Sequence, residues 1–175
     1  MEETTPSSSP TVMSVGLKFG LILGLVSVVQ SLVVFALGSN PFTNNWLNTT
    51  IAILISVGAV IFAQKAFKDG GDGFMSYGQG LGIAMVVSMV AIVIGMVFSY
   101  IYINFIDPSA FEAVWEKAAE DMQAQGQSEE QMEMGLEWGR KLFWVFYLIG
   151  GAFWALIIGL IVTIFTQKKA PESKF

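Results

Sequence analysis

Residues 80–103 read GLGIAMVVSMVAIVIGMVFSYIYI, a run without Asp, Glu, Lys or Arg. Met85, Val86, Val87, Met89, Val90, Ile92, Val93, Ile94, Met96, Val97 and Phe98 leave no periodic polar face that a helix of this run could turn toward water. At about 1.5 Å of rise per residue, the run meets the requirement of roughly 20 residues for a hydrocarbon crossing. It reads as a transmembrane helix. Ser99, Tyr100, Tyr102 and Asn104 mark its exit through an aromatic and polar boundary.

Three further runs of this kind flank it. Val12 to Leu37 carries one charge, Lys18, near its start and is uncharged from Phe19 onward; the turn cluster at residues 39–45 stops it. Trp46 to Ala63 is the shortest run, with Trp46 as an interfacial aromatic and Lys65 placed to snorkel. Leu142 to Phe165 lies between Arg140-Lys141 and Lys168-Lys169, with Trp144 and Tyr147 near one interface and Trp154 further along. The polar, glycine-rich stretch Gln64 to Gln79 is expected to link the second and third spans. The expected fold is all-α: a polytopic membrane protein with four transmembrane helices.

The segment from Phe105 to Gly139 alone has the composition of a soluble protein. Asp107-Pro108 is a good helix start, because Asp can cap free amides and Pro is tolerated at the first helical position. Phe111, Val114, Trp115, Ala118, Ala119 and Met122 then recur on one side, with Glu112, Glu116, Lys117, Glu120 and Asp121 over much of the other. Gly126 breaks the run, and Ser128 with Gln131 can form a capping box that starts another helix. Two amphipathic helices are expected between the third and fourth spans, the second leading into the fourth span. Phe111, Trp115 and Met122 are expected to pack against headgroups or the partner helix, or to dock another protein.

Composition agrees with a membrane protein: 54% of the 175 residues are hydrophobic and 13% are charged, against roughly 25% charged in a typical soluble domain. Without Cys there is no disulfide or thiolate chemistry, and without His the commonest metal ligand and neutral-pH proton shuttle are missing. No nucleophile, base and orienting group stand in register, so no enzyme activity and no cofactor are expected. Asp69 and Asp72 invite a metal reading, but two carboxylates beside Lys68 read better as a solvated turn. Gly78, Gly80 and Gly82 precede an apolar helix rather than completing a strand–turn–helix unit, so a dinucleotide fingerprint fails its context. Asn48-Thr49-Thr50 has the form of a glycosylation sequon only.

The start of the chain lacks a basic n-region, so a cleaved signal is not expected. Residues 1–13 are read as a flexible cytoplasmic N-terminus, 14–166 as a single transmembrane domain containing an acidic extracytoplasmic loop at 105–139, and 167–175 as a cytoplasmic tail. Placing the N-terminus in the cytoplasm puts Lys18, Lys65, Lys68, Lys168, Lys169 and Lys174 inside and Lys117, Arg140 and Lys141 outside, as the positive-inside rule favours. All nine acidic residues from Asp107 to Glu137 then lie outside. Such a loop repels nucleic acid and anionic headgroups; no nucleic-acid partner is expected.

Inside the spans two features stand out. Gly16, Gly20 and Gly24 are four residues apart on one face of the first helix, a stripe that permits close helix approach within the chain or to another subunit. Gln30 is the most polar side chain deep in an apolar run, and its amide needs a facing helix or a water.

The run from Phe67-Lys68-Asp69-Gly70 through Gly73-Phe74-Met75-Ser76-Tyr77-Gly78-Gln79-Gly80-Leu81-Gly82, followed by Tyr100 to Pro108, resembles an uncharacterised family of four-span inner-membrane proteins common in Bacteroidota, domain of unknown function 4199. The resemblance covers roughly Lys18 to Thr166. It implies a four-span fold and an inner-membrane address, and it carries no catalytic or ligand-binding residues. Expected partners are membrane lipids and either other membrane-protein subunits or further copies of the chain. The leading functional expectation is a structural or accessory membrane protein, with a small oligomeric transporter as the alternative. A wet cavity near Gln30 and Ser88 would favour the alternative, and a dry, fully packed core would count against it.

Overall fold

The computed structural model describes residues 9–43 and 45–170; residues 1–8 and 171–175 of the expected N-terminal segment and tail, with Lys174 of the charge count, lie outside the described residues. Five α-helices follow in order: α1 Val12–Ala36, α2 Trp46–Gly70, α3 Tyr77–Ile101, α4 Ser109–Ala124 and α5 Glu129–Thr166. A π-helical turn, Tyr102–Ile106, joins α3 to α4. Among the described residues, four segments are long and apolar enough to cross a membrane: α1, α2, α3 with its π turn, and α5.

Local chemistry places most helix ends. Thr11 and Ser14 exchange side-chain and backbone hydrogen bonds at the start of α1, and Ser76 with Gln79 and Ser128 with Gln131 do the same for α3 and α5. Asp107 Oδ1 accepts the Ser109 amide at 3.0 Å where α4 begins. Gly38 and Gly126, with φ near +73° and +74°, form the turns that leave α1 and α4. At 38 residues and about 1.5 Å each, α5 is about 57 Å long, nearly twice a hydrocarbon core roughly 30 Å thick.

One boundary differs from expectation. The link drawn from Gln64 to Gln79 is helical at both ends: α2 continues to Gly70 and α3 begins at Tyr77. The apolar run stops at Ala63, but Gln64 and Phe67 continue the inward face set by Val60 and Ala63, so the helix continues into the core.

The core is a seam down the centre of the bundle. Val15, Gly16, Gly20, Leu23 and Gly24 of α1 meet α3, whose buried face is Gly80, Ile83, Ala84, Val87, Ser88 and Ala91. On the other side of α3, α5 contributes Ala155, Gly159 and Val162. Large side chains such as Leu21, Leu25, Leu54, Phe62, Ile149 and Phe165 point outward, toward the surface a bilayer would cover.

Glycine sets the α1–α3 spacing. A Cβ on Gly16 would lie 2.5 Å from Val86 Cγ1, on Gly20 2.7 Å from Val90 Cβ and 2.9 Å from the Val87 carbonyl oxygen, and on Gly24 2.5 Å from Ile94 Cδ1. At Gly20 part of the obstruction is backbone, which cannot rotate away. Gly20→Ala is therefore expected to cost about 1–3 kcal/mol through overpacking. Gly58→Ala, whose Cβ meets nothing within 4 Å, is expected to be neutral or slightly stabilising. Thermal unfolding in one detergent checks this, and equal melting temperatures for the two variants would contradict the packing account.

Candidate functional site

The bundle is tied shut at one end and opens toward the other. At the closed end, where α1 starts and α5 stops, Gln64 is fully buried among three helices. Its Nε2 donates to the Gly80 carbonyl and to Thr163 Oγ1, both at 2.9 Å, and its Oε1 accepts from the Thr166 hydroxyl. Lys68 Nζ donates to the Thr166 carbonyl at 2.7 Å, satisfying an acceptor at the end of α5. Met75 and Lys168 exchange two backbone hydrogen bonds of 2.8 and 3.0 Å, pinning the chain before α3 to the chain after α5. A buried amide satisfied on both sides is stabilising only while each partner remains.

Every buried residue of α2 lies in its second half: Val60, Ala63, Gln64 and Phe67. Ile55, Val57 and Ala59 still pack against the core, and the turns before them are more exposed and border a crevice. Near the helix centres a space of about 220 Å³ is lined by hydroxyl-bearing residues of all four spans, Ser27 of α1, Ser56 of α2, Ser88 of α3 and Tyr147 of α5, among apolar ones such as Leu23, Ile92, Trp154 and Ile158. Ser27 also lines a second space of about 280 Å³ between α1 and α2, with Gln30, Ser31, Thr43, Asn48 and Thr49 around it. The two spaces share Ser27 as a wall, and among the described residues no Asp, Glu, Lys or Arg lines either.

Beyond the open end, α4 lies clamped against α5. Arg140 donates through both terminal nitrogens to Glu112, at 2.8 and 2.6 Å, and its guanidinium sits 5.5 Å from the Trp115 ring centre. Phe111 meets Phe143 edge to face at 4.9 Å, and Asn40 Nδ2 donates to the Ala110 carbonyl at 2.6 Å, tying α4 to the α1–α2 turn. Trp115 is buried, and its Nε1 has no hydrogen-bond partner among the described residues. Hydrogen bonding from Arg140 holds the Glu112 carboxyl below the usual carboxylate range; partial desolvation opposes this, and charge attraction adds to it.

Each residue singled out in the sequence has a definite place. Gly16, Gly20 and Gly24 lie on the α1 face that meets α3. Gln30 lines the crevice, its Nε2 3.4 Å from the Asn48 carbonyl. Phe111 and Trp115 pack on Phe143, and a Cβ on Gly135 would stand 3.2 Å from Met122 Cε, so all three engage α5. Asp72 accepts the Phe74 amide in the α2–α3 turn.

Sequence reasoning passed over Gln64, Thr163, Thr166 and Ser56. For Gln64 a signal existed: Val60, Gln64 and Phe67 recur at helical spacing, so a polar residue follows the inward stripe. The Ser76-to-Gln79 capping box was equally legible. The threonines and Ser56 carry no comparable mark, because a hydroxyl in an apolar helix can bond its own backbone, as Ser56 does to Ala52.

Fold and site together define a polytopic, all-α membrane protein of four spans, with a hydroxyl- and amide-lined crevice. The chain belongs to the family described as protein of unknown function, DUF4199, which matches residues 18–166. No curated protein and no solved structure matches it.

Two outcomes follow from these contacts. Gln64→Leu strands Thr163 Oγ1 and leaves Thr166 Oγ1 with the Val162 carbonyl alone, and is expected to cost about 1–3 kcal/mol; Gln79→Leu, which removes only an exposed cap, is expected to cost less in the same melting assay. The depressed Glu112 value means that its contribution is present above the unfolded-state pKa and is lost as pH falls through the folded-state one. Both side chains are about half exposed, 44% and 52%, so the stability gap between wild type and Glu112→Gln is about 1 kcal/mol or less at neutral pH. It should close on acidification below the usual carboxylate range; a gap independent of pH would contradict the fork.

Proposed function

We propose that this chain is a non-enzymatic accessory protein of the inner membrane, with both termini cytoplasmic, that engages other membrane-protein subunits through the extracytoplasmic surface formed by α4 and the start of α5. The observation that carries this reading is the fixing of α4. A connection between two spans needs no buried Trp, two-pronged ion pair or tie to a distant turn, yet α4 has all three. Its apolar side is used on α5, which leaves Glu116, Glu120 and Asp121, with Glu129, Glu130 and Glu133 of α5, exposed on a held scaffold. A rigid acidic surface suits a basic partner surface, because little ordering entropy remains to be lost on binding. Membrane lipids cover the rest of the apolar exterior.

Purification from the source membrane in mild detergent tests this. Stoichiometric foreign subunits are expected with the wild type, and Glu116→Lys/Glu120→Lys/Asp121→Lys should abolish their retention while the corresponding Ala variant only weakens it. Migration as a lone chain at all protein and detergent concentrations would overturn the reading. A second reading, a small oligomeric permeation protein, is favoured by the crevice beside Gln30 and Ser88; solute flux in reconstituted vesicles that is absent from empty ones would support it.

A further inference from the structure

We propose that the crevice between α1 and the first turns of α2 is a hydrated binding site for a small uncharged polyhydroxylated molecule, a polyol, with its inner chamber at Ser27, Ser56, Ser88 and Tyr147. It shares the crevice of the permeation reading and requires binding there, not passage through it.

The chamber's chemistry selects the ligand. Ser27 and Ser56 spend their hydroxyl protons on carbonyls one turn back, Leu23 at 2.9 Å and Ala52 at 2.8 Å, so each oxygen faces the chamber as an acceptor. Ser88 differs: its residue is only 8% exposed, it lines the chamber, and its hydroxyl has no hydrogen-bond partner among the described residues. A hydroxyl that faces such a space without a protein partner is free to bond a water or a ligand there. The site therefore offers acceptor oxygens at Ser27 and Ser56 and, at Ser88, a hydroxyl that can both donate and accept. Neighbouring hydroxyls on one small molecule supply both complements.

A charged ligand fits poorly, since no side chain of opposite charge lines either space and an ion stripped of water needs one. The rest of the lining, including Leu23, Ile92, Trp154 and Ile158, is apolar and suits the carbon skeleton of a polyol, whereas a wholly apolar ligand would leave the hydroxyls bare. The chamber of about 220 Å³ corresponds to about seven times the volume share of one water in the liquid. The outer space at Gln30, Thr43 and Asn48 supplies a polar approach from the end of the bundle opposite the termini. The closed end, held by Gln64, blocks the other side.

The chain has no Cys, so introduced thiols report without background. The nucleophile toward iodoacetamide is the thiolate, which forms in water and is suppressed in apolar surroundings. Full-length Ser27→Cys and Ser88→Cys, each reconstituted in vesicles, are compared with Leu25→Cys on the outward face of α1 and Gln127→Cys in the exposed α4–α5 turn. Both crevice thiols should react at least tenfold faster than Leu25→Cys. Glycerol should slow both severalfold while Gln127→Cys changes only as bulk viscosity dictates. Crevice rates as slow as Leu25→Cys would overturn the hydrated site, and two crevice positions guard against one variant misfolding. Fast rates that glycerol leaves in step with Gln127→Cys would overturn the polyol. Vesicle flux of glycerol, measured separately, distinguishes the fate of the permeation reading, since protection without flux supports binding alone.

Discussion

Inside a bilayer, apolar surface gains nothing by leaving lipid for another helix, so span association depends on shape and on the few polar groups that lipid cannot satisfy. The close meeting of α1 and α3 answers the first requirement. Three glycines let Val86, Val90 and Ile94 seat against bare backbone, and the rest of the bundle is arranged around α3. On its other side, Gly159 brings α5 near Ala84 and Leu81, while Gly151 faces Ile92. Small residues on the flanking helices and branched ones on the central helix give interlocking surfaces whose attraction is dispersion summed over many contacts.

Polar groups answer the second requirement, and their distribution gives the bundle its asymmetry. Gln64 joins α2, α3 and α5 at one end, where Lys68 and the Met75–Lys168 pairing add further ties. Toward the other end α2 has no buried residue. The same helix is thus fully buried only along its second half, and hydroxyl-bearing residues of four spans line the space beside the first. The α4 clamp sits past this opening, linked through Asn40 to the turn that also borders it, so the two regions are physically connected.

Much of this architecture was legible beforehand. Four charge-free runs, the glycine spacing in α1, the Asp107 cap and the Ser128 capping box are local features, and local features survive in the one-dimensional pattern. The α2 boundary was misjudged because hydropathy scores Gln64 and Lys65 by their polarity, while the fold uses one as a buried bridge. Phe111, Trp115 and Met122 were recognisable as an apolar stripe, but a stripe does not say whether α5, a membrane or another protein covers it; the contacts with Phe143 and Gly135 name α5.

By itself the sequence determined that the chain is helical, that it has four segments able to cross a membrane, and that its acidic residues gather between the last two. Those conclusions rest on length, charge and periodicity, which belong to each segment separately. Only the tertiary structure decided which helices touch, that Gln64, Thr163 and Thr166 close one end, and that Ser27, Ser56, Ser88 and Tyr147 share one space. Serines on separate helices carry no mutual periodicity, so nothing in the linear pattern could bring them together before the helices were packed.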